Sequence, residues 1–471
     1  MKTLNALPIA VAVLALCVPA AAQVYSVTEG PVLDIGSRVE LFVDDWLVDT
    51  MQAAYLQMHR PVRRQVALTL DAPWEGDVCF YLTVLRDDEC YRMYYRGQQM
   101  DAGGPVPVHE AIVAYAESED GISWKRPNLG LHEFGGTKDN AVVWVGAGTH
   151  NFTPFKDLNP DCKPQERYKA LAGGPLIAFC SPDGINWKQM QEKAVITQGA
   201  FDSQNLAFWD PVRECYADYH RGFRDGVRDV MTCTSTDFLN WTQPQWLDWG
   251  DSAVEHLYTN AITPYFRAPQ VLVGFPKRFV PTRHKIKSHE EVGVSDGLLV
   301  TSRDGVHFKR WREAFLRPGP DQMNWTERSN LIGFGVVPIS DEEMSLYAIE
   351  NYRHATIRIR RLSLRTDGFV SVHADAEEGQ MTTKPFTFDG SRLVINYSTS
   401  AAGSVRVQIE GATGQAVPGY TLDDCPEIYG DEIERTVTWA GSDNLLDFRG
   451  LPIRLRFALR DADLYSIRFM D

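Results

Sequence analysis

Acidic residues recur directly before a set of predicted β-strands, and their type and position suit acid–base chemistry. They are Glu75, Asp77, Asp139, Asp202, Glu255 and Glu327. Several carboxylates around one cavity repel each other, which raises the pKa of at least one and lets a pair divide the roles of proton donor and nucleophile or base. Two acids on either side of a bond are also the minimum that glycoside hydrolysis requires. An acid in this position can instead simply cap a turn.

Arginines occupy a second recurring position, at the ends of the predicted second strands. They are Arg96, Arg221, Arg278 and Arg353. A guanidinium group can bind a carboxylate or a sulfate on a sugar through two parallel hydrogen bonds. The same recurrence also fits an architectural role. The asparagines at the starts of the predicted first strands, Asn140, Asn205, Asn260 and Asn330, we interpret as scaffold that hydrogen-bonds between repeats.

Two further acidic sites stand out in the chain. The segment 252–269, SAVEHLYTNAITPYFRAP, places Glu255 and His256 among other polar residues where an apolar strand begins. Burying so many polar groups there is costly without a purpose. Asp44 and Asp45 follow the apolar ELFV, which would carry them into a central channel if that strand lines it. Otherwise they are acids of a surface turn.

The elements that position these residues belong to a long repeat. The motif SPDGINW at 181–187 recurs as SEDGISW, STDFLNW and SRDGVHF, with a shorter copy, TDGF, at 366–369. Asp-Gly favours a tight turn, and three alternating strands can be identified before each copy. Five four-stranded units of this kind predict a five-bladed β-propeller. A β-sandwich with accidental turn similarity is the alternative.

Composition and the ends of the chain define the remaining organisation. Residues 1–22 have the pattern of a signal peptide cleaved near Ala22, which predicts a secreted or periplasmic protein. The propeller is expected over 23–374, and alternating strands over 375–471 predict a separate antiparallel β-sandwich. The net charge of −15 argues against nucleic acid as a partner, and no later apolar stretch is long enough for a membrane span. No spacing of Cys and His indicates a zinc site.

A chain with five blades, SxDGxxW turns and a C-terminal β-sandwich resembles the five-bladed β-propeller glycoside hydrolases of the fructosidase/invertase and arabinanase/xylosidase type. The resemblance implies an early Asp as nucleophile or base, a second Asp that tunes or holds the substrate, and a Glu as general acid from a later blade. In this sequence Asp44 or Asp45 matches the first, Asp139 or Asp202 the second, and Glu255 the third.

We therefore predict an exported glycoside hydrolase that binds a poly- or oligosaccharide, which could be anionic. The predicted catalytic residues are Asp44, Asp45, Asp202 and Glu255, and the predicted substrate-binding residues are Glu75, Arg96, Asp139, Arg221, His256, Arg278, Glu327 and Arg353. No metal or cofactor is expected in the reaction, although a structural cation could occupy the channel. The alternatives are a sialidase-like hydrolase, whose family has a similar turn motif and needs three arginines with a Tyr–Glu pair, and a non-catalytic carbohydrate-binding propeller.

Overall fold

The computed structural model describes residues 31–88, 90–100 and 106–471, so the predicted signal peptide lies outside the described residues. The fold is all-β, as predicted, with three single-turn 3-10 helices at Pro164–Glu166, Gln322–Asn324 and Leu446–Phe448. In the part of the chain that the structure covers, no helix is both long and apolar enough to cross a membrane.

The strands of the first half of the chain are β1 (Leu33–Gly36), β2 (Glu40–Leu41), β3 (Val48–Gln52), β4 (Tyr55–Met58), β5 (Val62–Thr69), β6 (Phe80–Asp87), β7 (Cys90–Gly97), β8 (Ile112–Ser118), β9 (Val142–Val145), β10 (Thr153–Lys156), β11 (Tyr168–Gly173), β12 (Leu176–Ser181), β13 (Lys188–Gln189), β14 (Leu206–Asp210), β15 (Cys215–Arg224), β16 (Val227–Ser235) and β17 (Gln245–Trp246).

The strands of the second half are β18 (His256–Leu257), β19 (Thr263–Tyr265), β20 (Ala268–Gly274), β21 (Lys277–Val280), β22 (Val294–Gly297), β23 (Val300–Ser302), β24 (Lys309–Arg310), β25 (Leu331–Ile332), β26 (Val337–Pro338), β27 (Glu343–Glu350), β28 (Arg358–Arg365), β29 (Val370–Ala374), β30 (Gly379–Thr383), β31 (Phe386–Phe388), β32 (Arg392–Gly411), β33 (Asp431–Thr436) and β34 (Ile453–Met470).

Five antiparallel blades form the predicted propeller. Blade 1 contains β6–β9, blade 2 β10–β13, blade 3 β14–β17, blade 4 β18–β24, and blade 5 β25–β28 completed by β5. The inner strand β6 contacts β10 of blade 2 and also β26 and β27 of blade 5. A backbone hydrogen bond joins these two blades directly. Val84 N, in β6 of blade 1, donates at 2.8 Å to Phe334 O, which lies between β25 and β26 of blade 5. Blades 1 and 5 are therefore neighbours.

One predicted strand belongs to a different blade. We expected the segment NAVVWVG, residues 140–146, to open the second unit, but its strand β9 pairs with β8 as the outer strand of blade 1. Blade 2 opens later, at β10, which pairs with β11. The prediction was wrong because alternating apolar residues mark a strand without indicating which neighbour it joins.

The repeated turn motif joins neighbouring blades. Within the copy at 181–187, Ser181 Oγ accepts from Gly184 N at 2.9 Å, and Asp183 Oδ1 accepts from the next two backbone N–H groups. A tyrosine of the adjacent blade contacts most copies: Tyr94 donates to Gly184 O, Tyr219 to Gly305 O, Tyr347 to Gly121 O, and Tyr265 to the Asp367 carboxylate. These contacts give the motif a structural role.

A β-sandwich packs around a separate hydrophobic core that includes Phe386, Trp439 and Phe457. Its two long strands, β32 and β34, pair along most of their lengths, and β29–β31 and β33 join them. Strands β1–β4 also belong to this sheet. We predicted the propeller over 23–374 and the sandwich over 375–471. The structure differs from these ranges, because the N-terminal strands β1–β4 complete the sandwich and β5 completes blade 5.

Candidate functional site

All first strands begin at the same end of the propeller, here called the open end, because the turn motifs follow the third strands at the opposite end. Two blades carry additional strand structure at the open end. In blade 3, β15 and β16 continue to a two-residue turn at Asp225-Gly226, where both residues have positive φ as this type of hairpin requires. In blade 4, β18, β21 and β22 form a small additional sheet.

Asp202 lies at this end, in the loop that leads into β14. Its Oδ1 is 2.9 Å from Nε2 of His150 and accepts from the hydroxyl of Tyr81 at 3.2 Å. The side chain is 66% exposed, so it remains open to a ligand. The hydrogen bond from His150 holds the pKa of Asp202 well below its ordinary value, with the nearby Arg221 contributing. Asp202 is therefore ionised at neutral pH, which is the form in which a carboxylate acts as a nucleophile or base.

The tautomer of His150 follows from its other neighbour. Arg96 Nη1 lies 3.1 Å from Nδ1 of His150, and a guanidinium group can only donate. Nδ1 therefore accepts, and Nε2 carries the proton that His150 donates to Asp202. Arg96 is fixed by Val78 O at 2.9 Å and by the Tyr352 hydroxyl at 3.3 Å.

Two tyrosines, the buried Tyr81 and the half-buried Tyr258, complete the surroundings of Asp202. The hydroxyl groups of Tyr81 and Tyr258 are 2.7 Å apart, and Tyr258 is also 3.5 Å from Asp202 Oδ1. Burial raises the pKa of both hydroxyls, with Asp202 adding to the effect, so both remain protonated donors. Tyr81 has φ = 50°, at a register shift between Phe80 and Thr83. Such a bulge re-aims a side chain, here towards the centre.

A group of cations surrounds Tyr258. The guanidinium of Arg221 lies 5.1 Å and Nζ of Lys277 4.7 Å from the centre of its ring. Burial lowers the pKa of Lys277 to about 7, and the nearby positive charges of Arg328, Arg228 and Arg221 act in the same direction. Lys277 Nζ donates to Ser295 Oγ at 3.0 Å and to the backbone oxygen of Glu327 at 2.7 Å.

Glu327 provides a second carboxylate at the open end. It lies three residues before Asn330, as Asp202 lies three residues before Asn205, so the two acids share a register in blades 5 and 3. The Glu327 side chain is only 7% exposed, and its Oε2 is 2.7 Å from His289 Nε2. Oε1 is buried without a hydrogen-bond partner among the described residues.

Two predicted substrate-binding acids lie elsewhere. Glu75 is buried within blade 1, where its carboxylate accepts from Arg126 at 2.7 Å and from the hydroxyl of Tyr95 at 2.5 Å. Asp139 accepts from Asn128 in the exposed loop before β9. Because β9 is an outer strand, Asp139 is not carried to the centre.

The expected pairing of Glu255 with Asp44 or Asp45 does not form. Arg303, in the turn motif of blade 4, binds Asp44 at 2.8 Å, so Asp44 and the adjacent exposed Asp45 lie at the motif end. Glu255 lies near the open end but binds Arg278 at 3.3 Å and Arg310 at 2.8 Å. The strand before Asp44 pairs with β34 in the sandwich, which removes it from the channel.

Of the remaining predicted residues, Arg278 and Arg353 make structural contacts, whereas His256 lies beside the cations. Arg278 forms two hydrogen bonds with Asp296, as a structural ion pair does. Arg353 donates its backbone N–H to Asp77 O and so joins blades 5 and 1. His256 accepts from Arg228 N at 3.2 Å and therefore borders the cationic group. Of the predicted residues, the structure brings together Asp202, Glu327, Arg96 and Arg221.

Sequence analysis missed Tyr81, His150 and Arg228. A signal for His150 was present, because HNFTPF at 150–155 resembles TNAITPYF at 259–266. Asn151 bonds to Phe201 O of blade 3, and Asn260 bonds to Tyr219 O of the blade before it. Asn151, and not Asn140, is thus the asparagine of blade 2 that hydrogen-bonds to the next blade. Asn330 also bonds across blades, to Ser295 O, as the scaffold interpretation predicted, whereas Asn205 bonds within its own loop, to Phe201 O and Ser203 O.

A group with metal-ligand chemistry lies away from this centre. Asp218, His220 and Cys233 place their donor atoms close together inside blade 3, where all three are buried. Both ring nitrogens of His220 already have partners, Asp218 Oδ2 and Gln198 O. This arrangement fits an internal hydrogen-bonded group better than an ion site.

Comparisons with known proteins give structural similarities alone. No protein-family model matches the sequence, and no curated protein matches it. A glycoside hydrolase family 43 arabinoxylan arabinofuranohydrolase from Bacillus subtilis is 11% identical, with 85% of this chain and 96% of that chain covered and a TM-score of 0.43. A glycosyl hydrolase from Bacteroides ovatus is 14% identical, with 68% and 96% covered and a TM-score of 0.43.

A β-1,2-mannobiose phosphorylase from Listeria innocua is 11% identical, with 65% of this chain and 96% of that chain covered and a TM-score of 0.43. At these identities and TM-scores the similarities carry no argument about activity.

Proposed function

We propose that the protein is a glycoside hydrolase that reacts at the open end of the propeller. The observation that carries this proposal is the placement of Asp202 and Glu327 at one register in blades 3 and 5, with Tyr258 of blade 4 between them in the ring. Asp202 is ionised and exposed, whereas Glu327 is buried with one oxygen unpaired. Two carboxylates in different surroundings can divide the two roles of the reaction.

In the proposed reaction, Asp202 attacks the anomeric carbon or removes a proton from the water that does so. Glu327 Oε1 delivers a proton to the leaving oxygen as the glycosidic bond breaks, and water finally supplies the hydroxyl of the new reducing end. Tyr81 and Tyr258 hold Asp202 in position, and His150 keeps it ionised. Glu255 has no role here, because two arginines already bind it.

The test is a glycan panel assayed with wild type, Asp202→Asn, Glu327→Gln and the control Asp139→Asn. We expect both site variants to lose about 10³-fold or more in turnover, whereas Asp139→Asn stays within about twofold. Full activity in Asp202→Asn would reject the proposal. Binding of glycans without cleavage by wild type would favour a non-catalytic carbohydrate-binding propeller.

A sialidase-like hydrolase is the second candidate, and the contact of Tyr81 and Tyr258 with Asp202 among arginines supports it. In that reaction a tyrosine oxygen, activated by the acid, would be the nucleophile. Tyr258→Phe would then lose as much turnover as Asp202→Asn on a sialoside. If Tyr258→Phe keeps most of its activity, the first mechanism is favoured.

A further inference from the structure

We infer that the substrate is an acidic glycan whose charged group, a carboxylate or a sulfate ester, binds a cationic cluster formed by Arg221, Arg228, Lys277 and Arg328. The inference rests on the proposed function, since it names the substrate class for the same site. Both oxyanions present the oxygen acceptors that guanidinium and ammonium groups bind.

Aromatic rings hold the cluster together. Arg221 and Lys277 lie against the ring of Tyr258, and the guanidinium of Arg228 lies 5.5 Å from the ring of Phe279 and 5.6 Å from that of Phe223. Arg328 lies 5.7 Å from the ring of Tyr352. Contacts of this kind orient cations while leaving their charge uncancelled.

The hydrogen-bond partners within the cluster are mostly neutral. Arg221 donates to Ala200 O at 2.9 Å, Lys277 to a hydroxyl and a carbonyl oxygen, and Arg328 to the Tyr352 hydroxyl at 3.5 Å. Nε of Arg228 is buried with no partner among the described residues. Arg328 forms an ion pair with Glu327, but the distance between Arg328 Nε and Glu327 Oε1 is 4.0 Å, which is too long for a hydrogen bond.

Several arginines outside the cluster have carboxylate partners, whereas the buried Arg96 binds neutral groups. Arg126 pairs with Glu75 at 2.7 Å, Arg303 with Glu40 at 2.8 Å, and Arg358 with Asp321 at 2.6 Å. The cationic cluster differs from these ion-paired arginines because four cations lie together, in a chain whose net charge is −15. Its positive charge is therefore a local property, and a bound anion would supply the missing partner.

The charges of the cluster also repel each other. The pKa of Arg228 lies below its ordinary value because of burial, to which the neighbouring Arg221 and Arg328 add. The negative charge of Asp202 opposes this effect without overcoming it. An anion placed between these groups would favour their charged forms, so binding and protonation of Lys277 should support each other.

An exposed aromatic residue next to the cluster indicates a sugar rather than a free ion. Phe223 is 51% exposed near the tip of the β15–β16 hairpin, with the guanidinium of Arg221 5.3 Å from its ring. Apolar faces of sugar rings pack on aromatic side chains, which here lie beside the charge. A sugar bearing an acidic group would contact both features at once.

The experiment measures binding to the inactive Asp202→Asn protein by calorimetry. One pair of probes is an oligogalacturonate and its methyl ester, and the other is a sulfated galactan oligosaccharide and its desulfated form. We expect the charged member of one pair to bind at least about 10-fold more tightly, with affinity falling as salt increases. The pair that shows the preference distinguishes carboxylate from sulfate.

Variants assign the preference to the cluster. Arg228→Gln should lose about 10-fold or more in affinity for the charged probe and little for the neutral one, and Arg228→Lys should restore part of the loss. Arg435→Gln, on the surface of the sandwich, is the matched control. Equal binding within both pairs, binding of no probe, or an undiminished preference in a folded Arg228→Gln would overturn the inference. Selective binding of a probe that the wild type does not cleave would instead reject the hydrolase and leave the inference standing.

Discussion

Two buried lysines, one at each end of the propeller, have opposite surroundings. At the motif end, Lys169 binds Asp157, and although burial lowers the pKa of Lys169, this carboxylate more than reverses the effect. At the open end, Lys277 donates to neutral oxygens among three arginines, and its pKa falls to about 7. The first lysine stabilises the fold, whereas the second is held in place at a cost in stability.

The cationic cluster as a whole shows the same contrast with the motif end. At the motif end, buried charges are paired, as in Arg92 with Asp87 at 2.7 Å, and tyrosines repeat one hydrogen bond from blade to blade. At the open end, each blade contributes a different side chain. Repetition therefore marks the framework of this protein, and unpaired charge marks the place where a ligand would be bound.

Lys169→Met should have the largest effect on stability. It leaves Asp157 buried without its ion partner, which costs about 3–5 kcal/mol. Urea unfolding at pH 7 measures the loss, and glycan cleavage by the folded fraction should be unchanged. A variant as stable as wild type would contradict the view that the motif end is the stabilising region.

Tyr81→Phe should act on the reaction instead. It removes a hydrogen bond to Asp202 at 3.2 Å, and we expect cleavage to fall about 10- to 100-fold with little change in melting temperature. Tyr91→Phe, which loses a hydrogen bond to Pro338 O at the motif end, is the control and should keep its turnover. Similar kinetics in the two variants would remove the distinction between the ends.

Lys277 should make stability depend on pH. Its pKa is about 7 in the folded protein and near 10.5 when unfolded, so between these values the unfolded chain binds the extra proton. Lys277 therefore contributes a rise in the free energy of unfolding with pH in this window, on the order of 2 kcal/mol from pH 7 to pH 9. Lys277→Met should lack this rise. If wild type and variant respond equally to pH, Lys277 is not the group responsible.

Tyr219→Phe should give the smallest effect. It removes a single contact between blades, a hydrogen bond of 2.9 Å to Gly305 O, at a cost of about 1 kcal/mol. Thermal melting beside the exposed control Tyr429→Phe tests this expectation. A loss several times larger would mean that the blades separate cooperatively once one contact is broken.

The motif end could be predicted well because its chemistry is local. Ser181, Asp183 and Gly184 satisfy each other's backbone groups within one turn, so seven residues suffice to indicate the structure. The five units and the positions of Asp202 and Glu327 before their first strands follow from that spacing.

The open end was harder to predict because its contacts join distant residues. Asp202 is bound by Tyr81 and His150, from two other blades. Tyr81 carries no repeated pattern, and the segment around His150 resembles that of one other blade alone. Asp44 was misplaced for the same reason, since the preceding strand pairs with residues near 467. The density of polar residues around Glu255 was a true signal of burial, but two arginines account for it.

The pairing of early strands with late ones sets an order for folding. During synthesis β5 remains without its partner until β28 has been made, and β1–β4 wait still longer for β29–β34. Contacts so distant in sequence form slowly and leave strand edges exposed meanwhile. The propeller cannot be completed before β28 has been made, nor the sandwich before β34, so a nascent chain keeps unpaired strand edges until its last strands exist.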